Sequence, residues 1–276
     1  MNREVNNERV RKATANDFSQ IIDIWRTVFT NDNIYLSLVL HDLLPCCETF
    51  IYEEQGNILS VATLIPTNLK WEEGGSVQTL PGYYLYGVAT LPEARGQGLS
   101  RHIVKAIVSK SIASHKKFII TRPAEPSLFQ FYKSQGFSVE YKKCTILLPS
   151  IPIINRTKHQ LTGIKLKRMR EVFFIHKENK PLFCWSTKIL THAINTILLD
   201  SGEAYHFRYK NAKQYLISVP LYNSKGEATG KYKIEESSTD LQIKSEKKLF
   251  ALLYTIGCSS HETDKLREGI FNFPLE

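Results

Sequence analysis

Six consecutive residues, Arg95-Gly96-Gln97-Gly98-Leu99-Ser100, carry the clearest chemistry in the sequence. A β-prone run, Tyr83–Thr90, leads into them through Leu91-Pro92. Beyond them Leu99, Ile103, Ala106 and Ile107 recur at helical spacing to about Ser114, so the glycines sit where a helix starts. The first N–H groups of a helix have no intrahelical acceptor, and the helix dipole favours negative charge beside them. Gly96 and Gly98 present no side chain, so a diphosphate can approach the backbone closely. The segment predicts a pyrophosphate site. It is not a P-loop, because no Lys follows Gly98, and it is not the dinucleotide fingerprint, because Arg101 stands where the third glycine belongs.

The whole unit of strand, Pro turn, Arg-Gly-Gln-Gly and helix resembles the acetyl-CoA motif of the GNAT superfamily, Arg/Gln-x-x-Gly-x-Gly/Ala. Arg95 and Gly98 fill its first and fourth positions, and Ser100 replaces the small last residue. The resemblance implies acetyl-CoA as acyl donor, with the backbone of Arg95, Gly96, Gln97, Gly98, Leu99 and Ser100 around the pyrophosphate. It also implies that the edge of the strand at Val88, Ala89 and Thr90 pairs with the pantetheine arm as an added strand does. In this family the sheet splays between that strand and the next, here Phe118–Thr121, and the thioester lies in the gap.

Downstream, Tyr132-Lys133-Ser134-Gln135-Gly136-Phe137 resembles the family's later motif, a helix ending Tyr-x-x-x-Gly-Phe. Amine acetylation needs a neutral amine to attack the thioester and a proton for the departing thiolate, which a Tyr hydroxyl can supply. The resemblance gives Tyr132 that role. Many family members carry a Glu base on the strand after the cofactor helix, but Phe118-Ile119-Ile120-Thr121 has no carboxylate. Glu125, the nearest acid, is expected in a solvated loop. The two-part layout is similar to that of the "enhanced intracellular survival" acetyltransferases, in which the C-terminal carboxylate serves as base; by that similarity Glu276 is the candidate here.

These residues need elements to position them. Thr14 and Asp17 form an approximate capping box ahead of a helix, with Phe18, Ile21, Ile22, Ile24, Trp25, Val28 and Phe29 on its periodic face. A second helix is expected over 33–44, then a hairpin of Thr49–Glu54 and Ile58–Trp71. The order reads β-α-α-β-β-β-α-β-α-β, an α/β (α+β) architecture; the resemblance makes it a GNAT fold with a mixed, splayed sheet. Pro149-Ser150-Ile151-Pro152 places a domain boundary, giving 1–149 as the acetyl-CoA-binding catalytic domain and 150–276 as a smaller C-terminal α+β domain resembling a degenerate GNAT half. There Ser186 caps a helix, three strands follow between Ala204 and Glu235, and a helix is expected from Ser245 to about Ile256.

Composition sets the limits. At 276 residues, 42% hydrophobic and 23% charged, the chain suits two folded domains. No apolar run reaches the length of a membrane helix, the start Met1–Lys12 lacks a secretory stretch, and five cysteines, Cys46 and Cys47 adjacent and Cys144, Cys184 and Cys258 scattered, suggest neither a disulfide framework nor a zinc site. The expectation is a cytoplasmic protein without metal or membrane partner. Of the net charge of +9, the excess concentrates between Arg156 and Lys188, where nine basic residues face Glu171 and Glu178. Three functions follow: an N-acetyltransferase acting on a primary amine of a small molecule or peptide; a catalytically inactive acyl-CoA-binding regulatory protein; and a nucleic-acid-associated module using residues 156–188, which lacks the interleaved aromatics of a single-strand-binding surface.

Overall fold

The computed structural model describes residues 9–144, 146–148, 158–209, 212–238 and 247–270. Strand β1 (Val10–Lys12) precedes α1 (Phe18–Val28) and α2 (Asn33–Leu38), which continues as a π-helical turn, Val39–Leu43. The Asp17 carboxylate accepts from the Thr14 N–H at 2.7 Å and from the Thr14 hydroxyl at 2.9 Å, so the predicted cap residues do meet. Next come β2 (Glu48–Glu54), β3 (Asn57–Glu73) and β4 (Ser76–Thr90). Between β2 and β3, Gln55 and Gly56 both have positive φ, as do Gly74 and Gly75 between β3 and β4. That double left-handed turn matches the twist of the strands it joins. Then follow α3 (Leu99–Ala113), β5 (Phe118–Thr121), α4 (Pro126–Ser134) and β6 (Val139–Cys144), so the predicted order holds.

Two compact units partition the chain: Met1–Asn68, Leu80–Tyr141 and Phe250–Arg267 form the first, and Leu69–Thr79, Lys142–Leu249 and Glu268–Glu276 the second. This differs from a division at residue 149, because the chain comes back. Strand β7 (Ile146–Leu148), β8 (His159–Gln160), α5 (Gly163–Arg170), β9 (Leu182–Cys184), α6 (Thr187–Leu199), β10 (Glu203–Tyr209), β11 (Ala212–Tyr222) and β12 (Ala228–Ser237) lie between. Then β13 (Lys247–Thr255) enters the sheet of the first unit, in the order β1-β2-β3-β4-β5-β13-β6. It pairs antiparallel with β5, Leu252 opposite Thr121 and Thr255 opposite Phe118. The last element is α7 (Ser260–Glu268).

Residues 247–255 therefore form a strand where the sequence suggested a helix. The reason is burial on both faces. Ala251, Leu252 and Leu253 are all fully buried, so the segment is a continuous apolar run without the alternation of a half-exposed strand. Strand β5 has the same character, with Phe118, Ile119 and Ile120 all buried. Pairing of β4 with β5 is parallel while that of β5 with β13 is antiparallel, which makes the sheet mixed. Its core is completed by Ile21, Ile22, Ile24 and Trp25 of α1 and by Ile103, Val104 and Ile107 of α3.

The second unit has an antiparallel sheet, β7-β12-β11-β10-β8. Helix α5, continued as a π-helical segment Glu171–Lys177, lies in a stretch without a recognisable apolar period. The predicted Ser186 cap is present, its hydroxyl accepting from the Ile189 N–H at 3.3 Å. Arg170 is buried with Glu236, Nε to carboxylate 2.8 Å, and donates to the Phe183 carbonyl at 3.0 Å. Tyr215 donates to the same carboxylate. Among the described residues no helix is long and apolar enough to cross a membrane.

If β13 is buried on both faces, Leu252→Ala and Leu253→Ala, though adjacent, should each destabilise by about 2–5 kcal/mol in urea unfolding. A one-faced helix would spare one of the two.

Candidate functional site

The sequence-predicted loop is a helix start with little side-chain cover. Pro92–Ala94 make a single 3-10 turn, Arg95 is extended, and Gly98 is the N-cap of α3. Gly96 and Gly98 have φ of +79° and +78°, and a Cβ built at either meets nothing within 4 Å. Their glycine identity thus answers to the left-handed backbone and to open space in front of it, not to packing within the chain. No side chain caps α3, so its first-turn N–H groups face the same space. Arg95, Gly96, Gln97 and Gly98 are exposed, Ser100 is half-buried and Leu99 anchors the helix start in the core. The Arg95 guanidinium returns to the end of β4, Nε 3.4 Å from the Thr90 carbonyl. These features fit a diphosphate.

Strand β4 leads to the loop with one edge bare. Its pairing with β5 runs from Gly82 opposite Phe118 to Leu85 opposite Thr121, where β5 ends. Tyr86–Thr90 continue without it. On the other edge the Ala89 carbonyl accepts from Ser60 at 2.9 Å, and the Leu91 N–H donates to Leu59 at 3.0 Å, both on β3. Strand alternation therefore turns the N–H and C=O of Val88 and Thr90 to the side that β5 has left. Val88 and Thr90 are half-buried and Ala89 is buried, as a shared strand edge requires.

Gly87 marks where β4 changes course. Its φ is +58°, and a Cβ there would stand 2.2 Å from Cζ2 of Trp25. The glycine lets the α1 indole press on the strand backbone, and no other residue type fits. The sequence carried the signal, a glycine inside a β-prone run, which marks a bulge or a close approach.

Tyr132 reaches the fork. It is 5% exposed on α4, its hydroxyl lies close enough to Thr121 for that side chain to favour the ionised form, and Thr121 Oγ1 donates to the Leu85 carbonyl at 3.2 Å. The last β4–β5 pair and the candidate acid therefore adjoin. Burial pushes the Tyr132 hydroxyl up to about 12, so it keeps its proton at neutral pH. Phe131 and Phe137 stack edge-on against its ring, and Gly136, φ +93°, allows Tyr254 of β13 to pack beneath the motif.

Sequence reasoning missed the tyrosines on β4. Tyr84 and Tyr86 share one face, and the hydroxyls of Tyr86 and Tyr35 of α2 are 2.7 Å apart. Burial raises both β4 tyrosines, and Tyr84 senses Arg122 and Tyr132. Cys47, whose charge bears on Tyr86, is itself raised by burial, which keeps it a thiol rather than a nucleophile. No pattern announced this group, because tyrosines in a strand read first as β-formers.

Glu276 falls outside the described residues. Glu125 is exposed at the N-cap of α4 and accepts from Ser127 at 3.3 Å. A cleft of about 570 Å³ in the first unit is lined by Phe18, Ile22, Asp23 and Arg26 of α1 with His41 and Pro45, and shares no residue with loop or fork. Among the described residues no cluster of three metal-ligating side chains occurs.

A family model described as an acetyltransferase (GNAT) domain matches residues 9–139. The fold is similar to that of a GCN5-related N-acetyltransferase from Anabaena variabilis, TM-score 0.59 at 16% identity, covering 83% of this chain and 57% of that one. It is similar to Eis1 from Mycobacterium abscessus, TM-score 0.59 at 11% identity over 84% of this chain and 59% of that one. A third likeness is to a GCN5-related N-acetyltransferase from Kribbella flavida, TM-score 0.54 at 12% identity, with coverage of 83% and 56%. The chain thus spans under two thirds of the length of these proteins. No curated protein matches the sequence significantly. Helix start and parted strands lie within residues 9–139, the segment that matches the model of a GNAT acetyltransferase domain.

Proposed function

We propose that the chain is an N-acetyltransferase that moves an acetyl group from acetyl-CoA to a primary amine of a small molecule or peptide. One observation carries the reading: the bare edge of β4 beyond Leu85 runs directly into an uncapped helix start with two left-handed glycines. An extended, amide-containing arm ending in a diphosphate suits both halves of that surface. The backbone of Arg95, Gly96, Gln97, Gly98, Leu99 and Ser100 holds the diphosphate, and Val88, Ala89 and Thr90 hold the arm. The thioester then falls beside Leu85 and Thr121.

The chemistry asks little of the protein beyond position and one proton. The neutral amine nitrogen bonds to the acyl carbon, the carbon–sulfur bond breaks, and the thiolate takes the Tyr132 proton. A hydroxyl held near 12 by burial is protonated throughout the range in which the amine becomes neutral. Its proton goes to the thiolate as that charge forms. The amine's own proton goes to a base, and Glu276 is the carboxylate assigned to that step.

Three of the nine basic residues of 156–188 are paired with carboxylates within the second unit. Arg170 is buried with Glu236, Lys158 pairs with Glu203 and Lys180 with Glu178. The nucleic-acid reading loses that part of its support.

Acetyl-CoA at a hundred times its Kd should stabilise the chain by about 2.7 kcal/mol, and Gly98→Glu should abolish the shift while leaving the unliganded protein folded. A variant that still responds removes the loop from the cofactor site. With an amine panel, Tyr132→Phe should lower kcat roughly 100-fold or more and leave the KM for acetyl-CoA within a few-fold. Wild-type kcat should rise with amine deprotonation and stay flat to about pH 10, because the alkaline limb awaits loss of a proton held near 12. A limb near pH 8 would exclude Tyr132 as the acid. Acetyl-CoA binding without thiol release for any amine would identify the regulatory protein instead. Glu276→Gln at unchanged turnover would remove that base.

A further inference from the structure

The second unit gathers cations around one imidazole. His206 of β10 stands directly opposite His159 of β8, and their rings stack with centroids 5.2 Å apart and an interplanar angle of 23°. From α5 the Lys165 ammonium donates to Nε2 of His206 at 2.8 Å. From β11 comes Lys213, exposed and close enough for its charge to bear on the same imidazole. Burial holds His206 below its ordinary value, and Lys165, His159 and Lys213 push it the same way. The nearest opposite charge on β10, Glu203, is paired with Lys158 at 3.4 Å. Lys158 also lies over Tyr205, whose side chain alternates to the other face of the sheet from His206.

The contrast with the rest of the unit is chemical. Lys70, Lys158 and Lys180 each meet a carboxylate, and Arg170 meets one in the core. Lys165 meets an imidazole, which must be neutral at Nε2 to accept. Two imidazoles and two ammonium groups from three strands and a helix thus converge on one spot. Such a set is self-repelling until an anion enters it. Its members are point donors rather than the planar fork that grips a flat carboxylate, and separate point donors suit a tetrahedral oxyanion.

We propose that His159, Lys165, His206 and Lys213 form a binding site for a phosphate dianion, supplied as inorganic phosphate or as a soluble phosphomonoester. Entry of the dianion lets Lys165 turn its proton from His206 to a phosphate oxygen, and lets His206 take up a proton and donate as well. The site stands apart from acyl transfer and does not depend on it.

Histidine side-chain NMR of the full chain tests this. Titration with inorganic phosphate, and separately with O-phosphoserine, should give saturable shifts of His206 and His159 that sodium chloride at equal ionic strength does not. Preference between the two ligands identifies the source. Lys165→Ala and Lys213→Ala, both at exposed positions, and His206→Gln, at a half-buried one, should each weaken binding roughly threefold to tenfold while leaving acetyl-CoA stabilisation unchanged. Sulfate, divalent at every pH used, should bind more tightly as pH falls through the His206 titration, and its presence should raise that titration. Shifts reproduced by chloride, or unaltered in all three variants, would overturn the site. Tighter retention of a phosphodiester oligonucleotide than of either monoester would overturn it too, in favour of a nucleic-acid surface.

Discussion

Strand β5 ends four residues into its pairing with β4, and the cofactor surface depends on that. A strand edge left by its neighbour carries N–H and C=O groups that must find partners or water. Here the bare stretch, Tyr86–Thr90, is short and continues into a helix start with further unpaired donors. The two sets of orphaned groups lie in sequence along one chain, so one ligand of matching length can satisfy both. Gly87 holds the geometry at the turning point, because only a residue without Cβ leaves room for the Trp25 ring.

Closure of the sheet comes from the far end of the sequence. Strand β13 lies between β5 and β6, although residues 145–246 separate it from β6 in sequence. The strand that ends at Thr121 is therefore held on its other edge by residues 252–255. Tyr254 lies against Phe137 and under Gly136, so the later motif rests on the same return strand. Formation of the fork and folding of the intervening segment are coupled through this topology, which has a high sequence separation and a correspondingly large loop-closure term.

Local patterns were legible where local physics decides. The double left-handed turns at Gln55-Gly56 and Gly74-Gly75, the Ser186 cap and the periodic faces of α1 and α3 follow from propensity and period alone. The helix over 163–170 was not legible, because Lys165, Lys167 and Arg168 leave it almost no apolar stripe. The strand over 247–255 was misread for the opposite reason. Its apolar residues are consecutive, and only the folded structure, where Ala251, Leu252 and Leu253 are all buried, shows that both faces are covered.

By itself the sequence determined a glycine loop at a helix start, a strand before it and a tyrosine-glycine-phenylalanine motif after it. Each rests on neighbours within a few residues, where backbone sterics and helix dipoles act. Tertiary structure alone decided that β4 outruns β5, that Tyr132 comes near Thr121, and that residues 250–267 complete the first unit. It also turned part of a basic stretch inward, burying Arg170 against Glu236. Those outcomes depend on which distant segments share a sheet or a core, and composition and period carry no record of that choice.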